Sequence, residues 1–310
     1  MDLVTEVGDR VYLIAQHFED ARVGYQAFFI ASEKPTLIEP GPSPFISKIV
    51  VGLNELGYDV ASLSYIIPTH IHADHCGGTG NLIQSAHNAK ILAHYEGVKH
   101  LIDPTKMMEA SRAYWGEYYE SEIGALLPVP ESKIEVVQGG ENIDLGDRTL
   151  AVVYTPGHAK HHICLYDSES GELFAGEALG LPLPGNKTKV VPVVSPPVFE
   201  LEAALDSIDR LRMLKPSKIF YSHYGIGQRA KTCLDLAEKN TKLWGDIVLQ
   251  ALKDGKDRDE IKTELAAHLG EIETTNNEIF SQLLEWATDG YTGYFTRECM
   301  VTPSTRTKEE

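Results

Sequence analysis

Residues 63–78 read LSYIIPTHIHADHCGG, and this stretch decides the architecture. Its first five residues, Leu63 to Ile67, form an apolar, β-prone run that predicts a buried strand. Pro68 ends that run, and His70, His72, Asp74 and His75 follow within six residues. Alternate residues of an extended segment project to one side, so His70 and His72 leave the strand end together. Asp74 and His75 fall on the turn beyond. Gly77 and Gly78 let the backbone pass close by before the next helix. Neutral imidazole plus carboxylate suits zinc first, and iron or manganese less selectively. A structural zinc site needs only four ligands and usually takes thiolates, which this set lacks.

Three more strand ends downstream carry the same kinds of side chain. YTPGH (154–158) presents His158 from a Pro-Gly turn, LFAGE (173–177) presents Glu177, and IFYSH (219–223) presents His223. Strands are expected at Val11–Ala15, Ala27–Ala31, Thr36–Ile38, Ala89–Ala93, Ile134–Val137, Thr149–Tyr154, His162–Tyr166, Leu173–Ala175 and Lys218–Tyr221. Helices are expected at Pro44–Leu56, 81–87 and Leu201–Leu214, with Gly57 as a C-terminal cap. The segment 105–127, bounded by Pro104 and Pro128, predicts an inserted helical pair rich in Met and aromatic residues. Residues 181–198, rich in Pro and Val, predict an irregular loop. From Ala230 onward the pattern is amphipathic helix, ending in a polar, frayed tail at 302–310. Two blocks of strands with helices between them predict two packed sheets with helices outside.

The chain has 310 residues and a net charge of −17, which disfavours a nucleic-acid partner because phosphate binding needs a concentrated basic surface. Cys76, Cys164, Cys233 and Cys299 are scattered without CxxC pairing, as free thiols in a reducing compartment would be. No secretory signal and no apolar run long enough to span a membrane are visible, so a cytoplasmic location is expected.

The order HxHxDH, then His, then an acid, then His resembles the signature of the metallo-β-lactamase superfamily. The resemblance covers about residues 10–225 and includes Ile38-Glu39-Pro40-Gly41, where the family usually has an Asp-containing turn. TPGHAKHHICLY (155–166) is similar to the corresponding stretch of glyoxalase II-type thioesterases. The resemblance implies an α/β fold, a four-layer αββα sandwich over residues 1–229 with a C-terminal helical extension at 230–310. It implies two divalent metal ions: His70, His72 and His158 on the first, Asp74, His75 and His223 on the second, and Glu177 as the bridging carboxylate. The family has Asp at that last position. The extra methylene of Glu177 must either move the metals or leave the carboxylate on one of them. His162 matches a histidine that supports the ligands by hydrogen bonding. His161 has no assigned role and reads as a surface residue.

Such a site implies a hydrolase in which metal-bound hydroxide attacks a small ester, thioester or lactone, with Asp74 orienting the nucleophile or passing its proton on. Tyr224, beside His223, is a candidate hydrogen-bond donor to the substrate. The aromatics of 105–127 and the 181–198 segment suit a lid and wall for an apolar acyl group; packing onto the core is the plain alternative. Glu177 is followed by ALGLPLPGN, without the basic and tyrosine residues that hold glutathione in glyoxalase-type enzymes. Gly180 stands where homoserine-lactonase-like enzymes place a tyrosine. A phosphodiesterase or phosphotriesterase on the same metals is the nearest competing reading. A mononuclear iron enzyme of the persulfide dioxygenase type is the next. The expected partner is a small-molecule substrate, with no nucleic acid and no membrane. The apolar positions Leu243, Trp244, Ile247, Val248, Leu249 and Leu265 suit a homodimer interface, a cover over the pocket, or packing on the chain's own core.

Overall fold

The first seven strands are β1 (Val4–Gly8), β2 (Val11–Gln16), β3 (Tyr25–Ile30), β4 (Thr36–Ile38), β5 (Tyr65–Ile67), β6 (Lys90–His94) and β7 (Ile134–Val137), and they lie side by side in that order. The computed structural model describes residues 2–16, 23–183, 186–227, 229–269 and 277–298. The pairs from β1 to β4 are antiparallel and joined by short connections. From β4 to β7 the pairing is parallel, because helices now cross between strands. These are α1 (Ile46–Glu55) before β5, the short α2 (Ala73–Cys76) and α3 (Thr79–Leu82) before β6, and α4 (Tyr95–Ile102) before β7. The insertion between α4 and β7 is a helical pair, α5 (Thr105–Trp115) and α6 (Tyr119–Glu122).

The second sheet contains β8 (Asn142–Asp144), β9 (Thr149–Tyr154), β10 (Ile163–Asp167) and β11 (Glu172–Gly176) as an antiparallel meander. A hairpin of β12 (Leu181–Leu183) and β13 (Asn186–Val191) follows. Helix α7 (Leu201–Met213) then crosses over to β14 (Lys218–Tyr221), which lies parallel to β11, and β15 (Ile226–Gly227) closes the edge.

Both faces of each sheet are buried. Phe28 and Ile30 of β3, Leu150 and Val152 of β9, Ile163 and Leu165 of β10, and Phe220 of β14 meet between the sheets. The alternate residues point the other way. Ala27 and Phe29 join a cluster with Ile49 and Leu53 of α1. Cys164, Leu173, Ala175 and Tyr221 join one with Ile208 and Leu211 of α7. Two apolar faces per sheet force four layers, helix on sheet on sheet on helix. The sequence expectation of an αββα sandwich agrees with this.

The C-terminal helices are α8 (Ala230–Lys253), α9 (Arg258–Leu269) and α10 (Asn277–Arg297). Trp244, Val248 and Leu265 are buried with Val191, Phe199 and Tyr291, while Ile247 and Leu249 pack against that cluster. These positions therefore pack on the chain's own core. The expected tail at 302–310 lies outside the described residues.

Two expectations need correction. Residues 181–198 are not one irregular loop: the apolar residues Leu181, Leu183, Val190 and Val191 support the β12–β13 hairpin, and the part after Val191 is irregular. The helix expected at 81–87 is shorter and earlier, at Thr79–Leu82. No helix among the described residues is long and apolar enough to cross a membrane.

Candidate metal centre

The parallel strands of the first sheet and β9, β11 and β14 of the second all end at one edge of the sandwich, and there the polar residues singled out above converge. Beyond β5, His70 and His72 leave the strand end together, and His72 opens α2, which carries Asp74 and His75. The two glycines after α2 are needed for approach rather than for unusual torsions. A Cβ on Gly77 would sit 2.3 Å from the Ala73 carbonyl oxygen, and one on Gly78 would sit 2.4 Å from Ile46. His158 comes from the turn after β9, Glu177 follows β11, and His223 follows β14.

Three groups have donor atoms within 4.8 Å of one another: His70, His72, His158 with Glu177; Asp74, His75 with His223; and Glu39 with His70 and His75, in which Glu39 lies on the Nδ1 side of His75, so the first two face the cavity floor. Glu177 stands between them. Its Oε2 is 3.0 Å from His158 Nε2, 3.4 Å from His70 Nε2 and 3.5 Å from His75 Nε2. Its Oε1 is 3.8 Å from His223 Nε2. The longer side chain thus reaches both groups. Backbone geometry helps: Gly176 has φ of +55°, and a Cβ there would lie 2.6 Å from both His162 Nε2 and Thr69 Oγ1.

The hydrogen bonds settle which nitrogens face inward. His158 Nδ1–H donates to the Val193 carbonyl at 3.2 Å, and His223 Nδ1–H to the Gly24 carbonyl at 2.9 Å. His75 Nδ1–H donates to Glu39 Oε2 at 2.7 Å. His70 Nδ1–H donates to Thr69 Oγ1 at 3.1 Å, and that hydroxyl donates onward to Glu39 Oε1. Four Nε2 atoms are left pointing into the site, that of His75 able to offer a lone pair once its extra proton is released. His70 Nε2 is buried with no hydrogen-bond partner. His75 Nε2 and His223 Nε2 are 3.4 Å apart, and His158 Nε2 is 3.0 Å from His72 Nδ1. Lone pairs brought this close in a buried pocket are satisfied by a cation between them, so this donor set fits a metal centre.

Glu39 is the residue whose role the sequence did not disclose. Its carboxylate takes the Thr69 amide at 3.2 Å, the Thr69 hydroxyl and His75, across 30 and 36 residues of chain. Its own φ is +61°, a conformation that costs a non-glycine residue about 1–3 kcal/mol. His162 secures Glu177 from behind: its Nε2 accepts the Glu177 amide at 3.1 Å, and its Nδ1–H donates to Thr155 Oγ1 at 2.8 Å. His161, expected at the surface, instead accepts the Ile71 amide on Nδ1 at 3.1 Å, so it braces the residue between His70 and His72. Burial, then the neighbouring His158, lowers its pKa to about 3. Nothing local signalled this, because the partner amide is 90 residues away.

Burial, followed by neighbouring imidazoles, holds His70 and His72 well below the usual histidine range. His75 is buried too, yet Asp74, Glu39 and Glu177 together outweigh that and raise it well above the usual value. Burial also acts to raise Glu177, but His158 and His75 hold it well below the ordinary carboxylate range. Cys76 is buried with its Sγ 3.6 Å from Met107 Sδ, and burial pushes its thiol up. It takes no part in the centre.

Above the floor lies a cavity of about 690 Å³. Its walls are Met107, Tyr114 and Trp115 of α5, Val193–Val198, and Leu283 and Trp286 of α10. Tyr114 and Trp286 stack at 4.1 Å and 18°, closing the insertion onto the C-terminal helix. Tyr224 lines the cavity as well; its φ is +59°, and burial raises its phenol well above the ordinary value.

Comparison with known proteins places this arrangement. A 167-residue stretch is 32% identical to the metallo-beta-lactamase fold-containing protein ST1585 of Sulfurisphaera tokodaii, 53% of this chain and 61% of that one. Hydroxyacylglutathione hydrolase of Synechococcus sp. is 29% identical over 61% of this chain and 56% of its own length. Acyl-coenzyme A thioesterase MBLAC2 of Gallus gallus is 34% identical over 36% and 40%. The chain therefore spans 40 to 61% of the length of these curated relatives. Among solved structures, metallo-beta-lactamase family protein TTHA1429 of Thermus thermophilus shares the fold, with a TM-score of 0.72 at 22% identity over 94% of both chains. The sequence profile of the metallo-beta-lactamase superfamily matches residues 22–223, well over half of the 310 residues. With the sandwich, the histidine clusters and this match in agreement, the chain belongs to the metallo-β-lactamase superfamily.

Proposed function

We propose that the protein is a metal-dependent hydrolase of a small ester, thioester or lactone. It would hold two divalent cations, zinc by the chemistry of the donor set, with His70, His72 and His158 on one, Asp74, His75 and His223 on the other, and Glu177 between them. The observation that carries this reading is the position of Glu177, whose two oxygens face the two groups at the floor of an open cavity. Bound cations at such a site supply Lewis acidity and bring the ionisation of water near neutral pH.

The side chains do the rest. Asp74 is the part-exposed carboxylate of the floor, its side chain 22% accessible, so it can orient an attacking water and take its proton. Tyr224 stays protonated at neutral pH and can donate to the substrate oxygen. The apolar walls receive the acyl part and exclude water from it. With Cys76 buried and its thiol raised, no covalent nucleophile is needed.

Elemental analysis of protein purified without chelators, alongside turnover of an ester, thioester and lactone panel, tests the reading. About two zinc ions per chain, activity lost on chelation and restored by zinc, is the expected result. A single iron with no hydrolysis of any of the three would replace it with a redox activity.

A further inference from the structure

The two sides of the cavity differ in chemistry. One is aromatic and apolar, with Tyr114, Val194, Leu283 and Trp286. The other is basic and is built where α4 runs past His161. Gly97 of α4 approaches so closely that a Cβ there would lie 3.2 Å from His161 Cβ and 2.3 Å from Ile71 Cγ1. His100 is one helical turn further along the same face of α4, and it also lines the cavity. Lys106, the second residue of α5, completes this side. Burial, then the charges of Lys99 and Lys106, keeps His100 below the usual histidine range, which leaves it a neutral hydrogen-bonding group.

His161 has a fixed orientation. Because the Ile71 amide donates to Nδ1, that nitrogen carries the lone pair and the proton of the ring sits on Nε2. That Nε2–H has no acceptor among the described residues. Lys106 forms no ion pair among them either, and it is the one Lys or Arg of the described residues that lines the cavity. The carboxylates of the lining are Asp74 and Glu177 on the floor and Glu117 beyond the far end of α5, on the order of 15 Å along the helix from Lys106. Asp103, outside the lining, also acts on His100 and Lys106, but its Oδ1 accepts from the Thr105 amide and hydroxyl, so within the lining this cation and the two imidazoles are left to face the cavity.

We propose that this side is a subsite for a carboxylate carried by the substrate, with Lys106 supplying the charge and His100 and His161 Nε2–H the hydrogen bonds. One cation with two neutral imidazoles matches a singly charged carboxylate better than a doubly charged phosphate. The substrate is then amphiphilic. Its apolar part lies under Tyr114 and Trp286, its carboxylate at the start of α5, about 12 Å along that helix from Tyr114, and the scissile group over the floor. The assignment of this ligand as substrate rests on the hydrolase reading; the subsite itself is tested without turnover.

The experiment compares dicarboxylates from succinate to suberate with monocarboxylates of the same length, bound to the full zinc-loaded chain. Calorimetry and the fluorescence of Trp115 and Trp286, which line the cavity, report binding. A monocarboxylate can make only one of the two contacts, floor or subsite, whereas a dicarboxylate of the right length makes both at once. The best dicarboxylate is expected to bind about tenfold more tightly than its monocarboxylate. The double variant Lys106→Ala/His100→Ala should abolish that advantage. Lys106 is exposed and His100 half-buried, so the variant keeps the fold, as circular dichroism would verify. Replacing the distal carboxylate with a phosphonate distinguishes the sources: weaker or equal binding supports a carboxylate site, and markedly tighter binding overturns that choice of ligand. Equal binding of mono- and dicarboxylates, or an advantage that survives the double variant, overturns the subsite. Failure of the ester, thioester and lactone panel with the dicarboxylate advantage intact would sink the hydrolase reading alone.

Discussion

The floor of the cavity and its walls are built on different physics. On the floor, four of the five histidines and Glu177 are each held by a second hydrogen bond from behind, to Thr69, Glu39, Val193, Gly24 and His162. These bonds are directional, and several of the anchors lie at strand ends of the two sheets. The walls are held by apolar contact and ring stacking between α5, the 193–198 segment and α10. Such contacts tolerate repacking, and Met107, Met108 and Trp115 are only partly buried. On the proposed hydrolase reading, chemistry would rest on the part that cannot shift, and selection of substrate on the part that can. The two regions meet where Ala73 and Cys76 pack against the wall and where His158 donates to the carbonyl of Val193, the bond that ties the 193–198 segment to the floor.

The largest effect that separates them should come from His158→Ala. Removing this donor is expected to cut zinc-dependent turnover by ~10³-fold or more, the several kcal/mol a bound cation supplies, and to lower zinc per chain on elemental analysis. Unchanged zinc content would mean that the floor is not the metal centre. Next comes Glu39→Gln, which leaves every inward-facing donor in place and weakens only their support. Zinc affinity should fall about 10- to 100-fold in a chelator competition. An unaltered affinity would show that hydrogen bonding from behind does little here.

A third test sets one half of the floor against the other. His70 and His72 are already neutral near pH 7, whereas His75 is raised and carries a proton there. Zinc entering the group of Asp74, His75 and His223 must displace that proton. Between the ordinary histidine pKa and the raised value of His75, affinity at this group should gain about tenfold per pH unit, while the other group stays flatter. Calorimetry in buffers of different ionisation enthalpy counts the protons; equal release by both equivalents would contradict the asymmetry. In the metal-free protein the sign is opposite. The raised His75 stabilises the fold below the unfolded pKa, and that stabilisation is lost as pH rises through the folded pKa. The smallest effect should come from the wall. Trp286→Ala removes a stack worth about 0.5–1.5 kcal/mol, so KM for substrates with long acyl chains should rise a few-fold with kcat little changed. A kcat loss as large as that of His158→Ala would erase the division of labour.

What the sequence disclosed follows the range of the interactions involved. Thr36–Ile38, Ile134–Val137, Thr149–Tyr154 and Lys218–Tyr221 form strands with the bounds that apolar patterning predicts. The polar residues at strand ends could be placed because strand and turn signals are local. In the sequence Glu39 stands out only as a departure from an Asp-containing turn, since nothing nearby shows that its carboxylate reaches Thr69 and His75. His161 was misplaced for the same reason, its partner being the amide of Ile71. The stacking of Trp286 on Tyr114 spans 172 residues and left no trace in either segment. The β12–β13 hairpin is hard to read because of Pro182, a residue that argues against a strand in general but is tolerated in this two-stranded, edge-only sheet.

The bond from His223 to the carbonyl of Gly24 joins positions 199 residues apart. A chain emerging from the ribosome cannot close it until β14 has been made and has docked on the second sheet. The donors before that point are only a partial set, so a cation finds its full cage in the finished sandwich alone. A cation held there would therefore bind the native state and not its precursors, and mass action would make the free metal concentration a term in the protein's stability. Scarcity of the ion would then be felt first as a loss of folded chains, measurable as a melting temperature that climbs with added zinc.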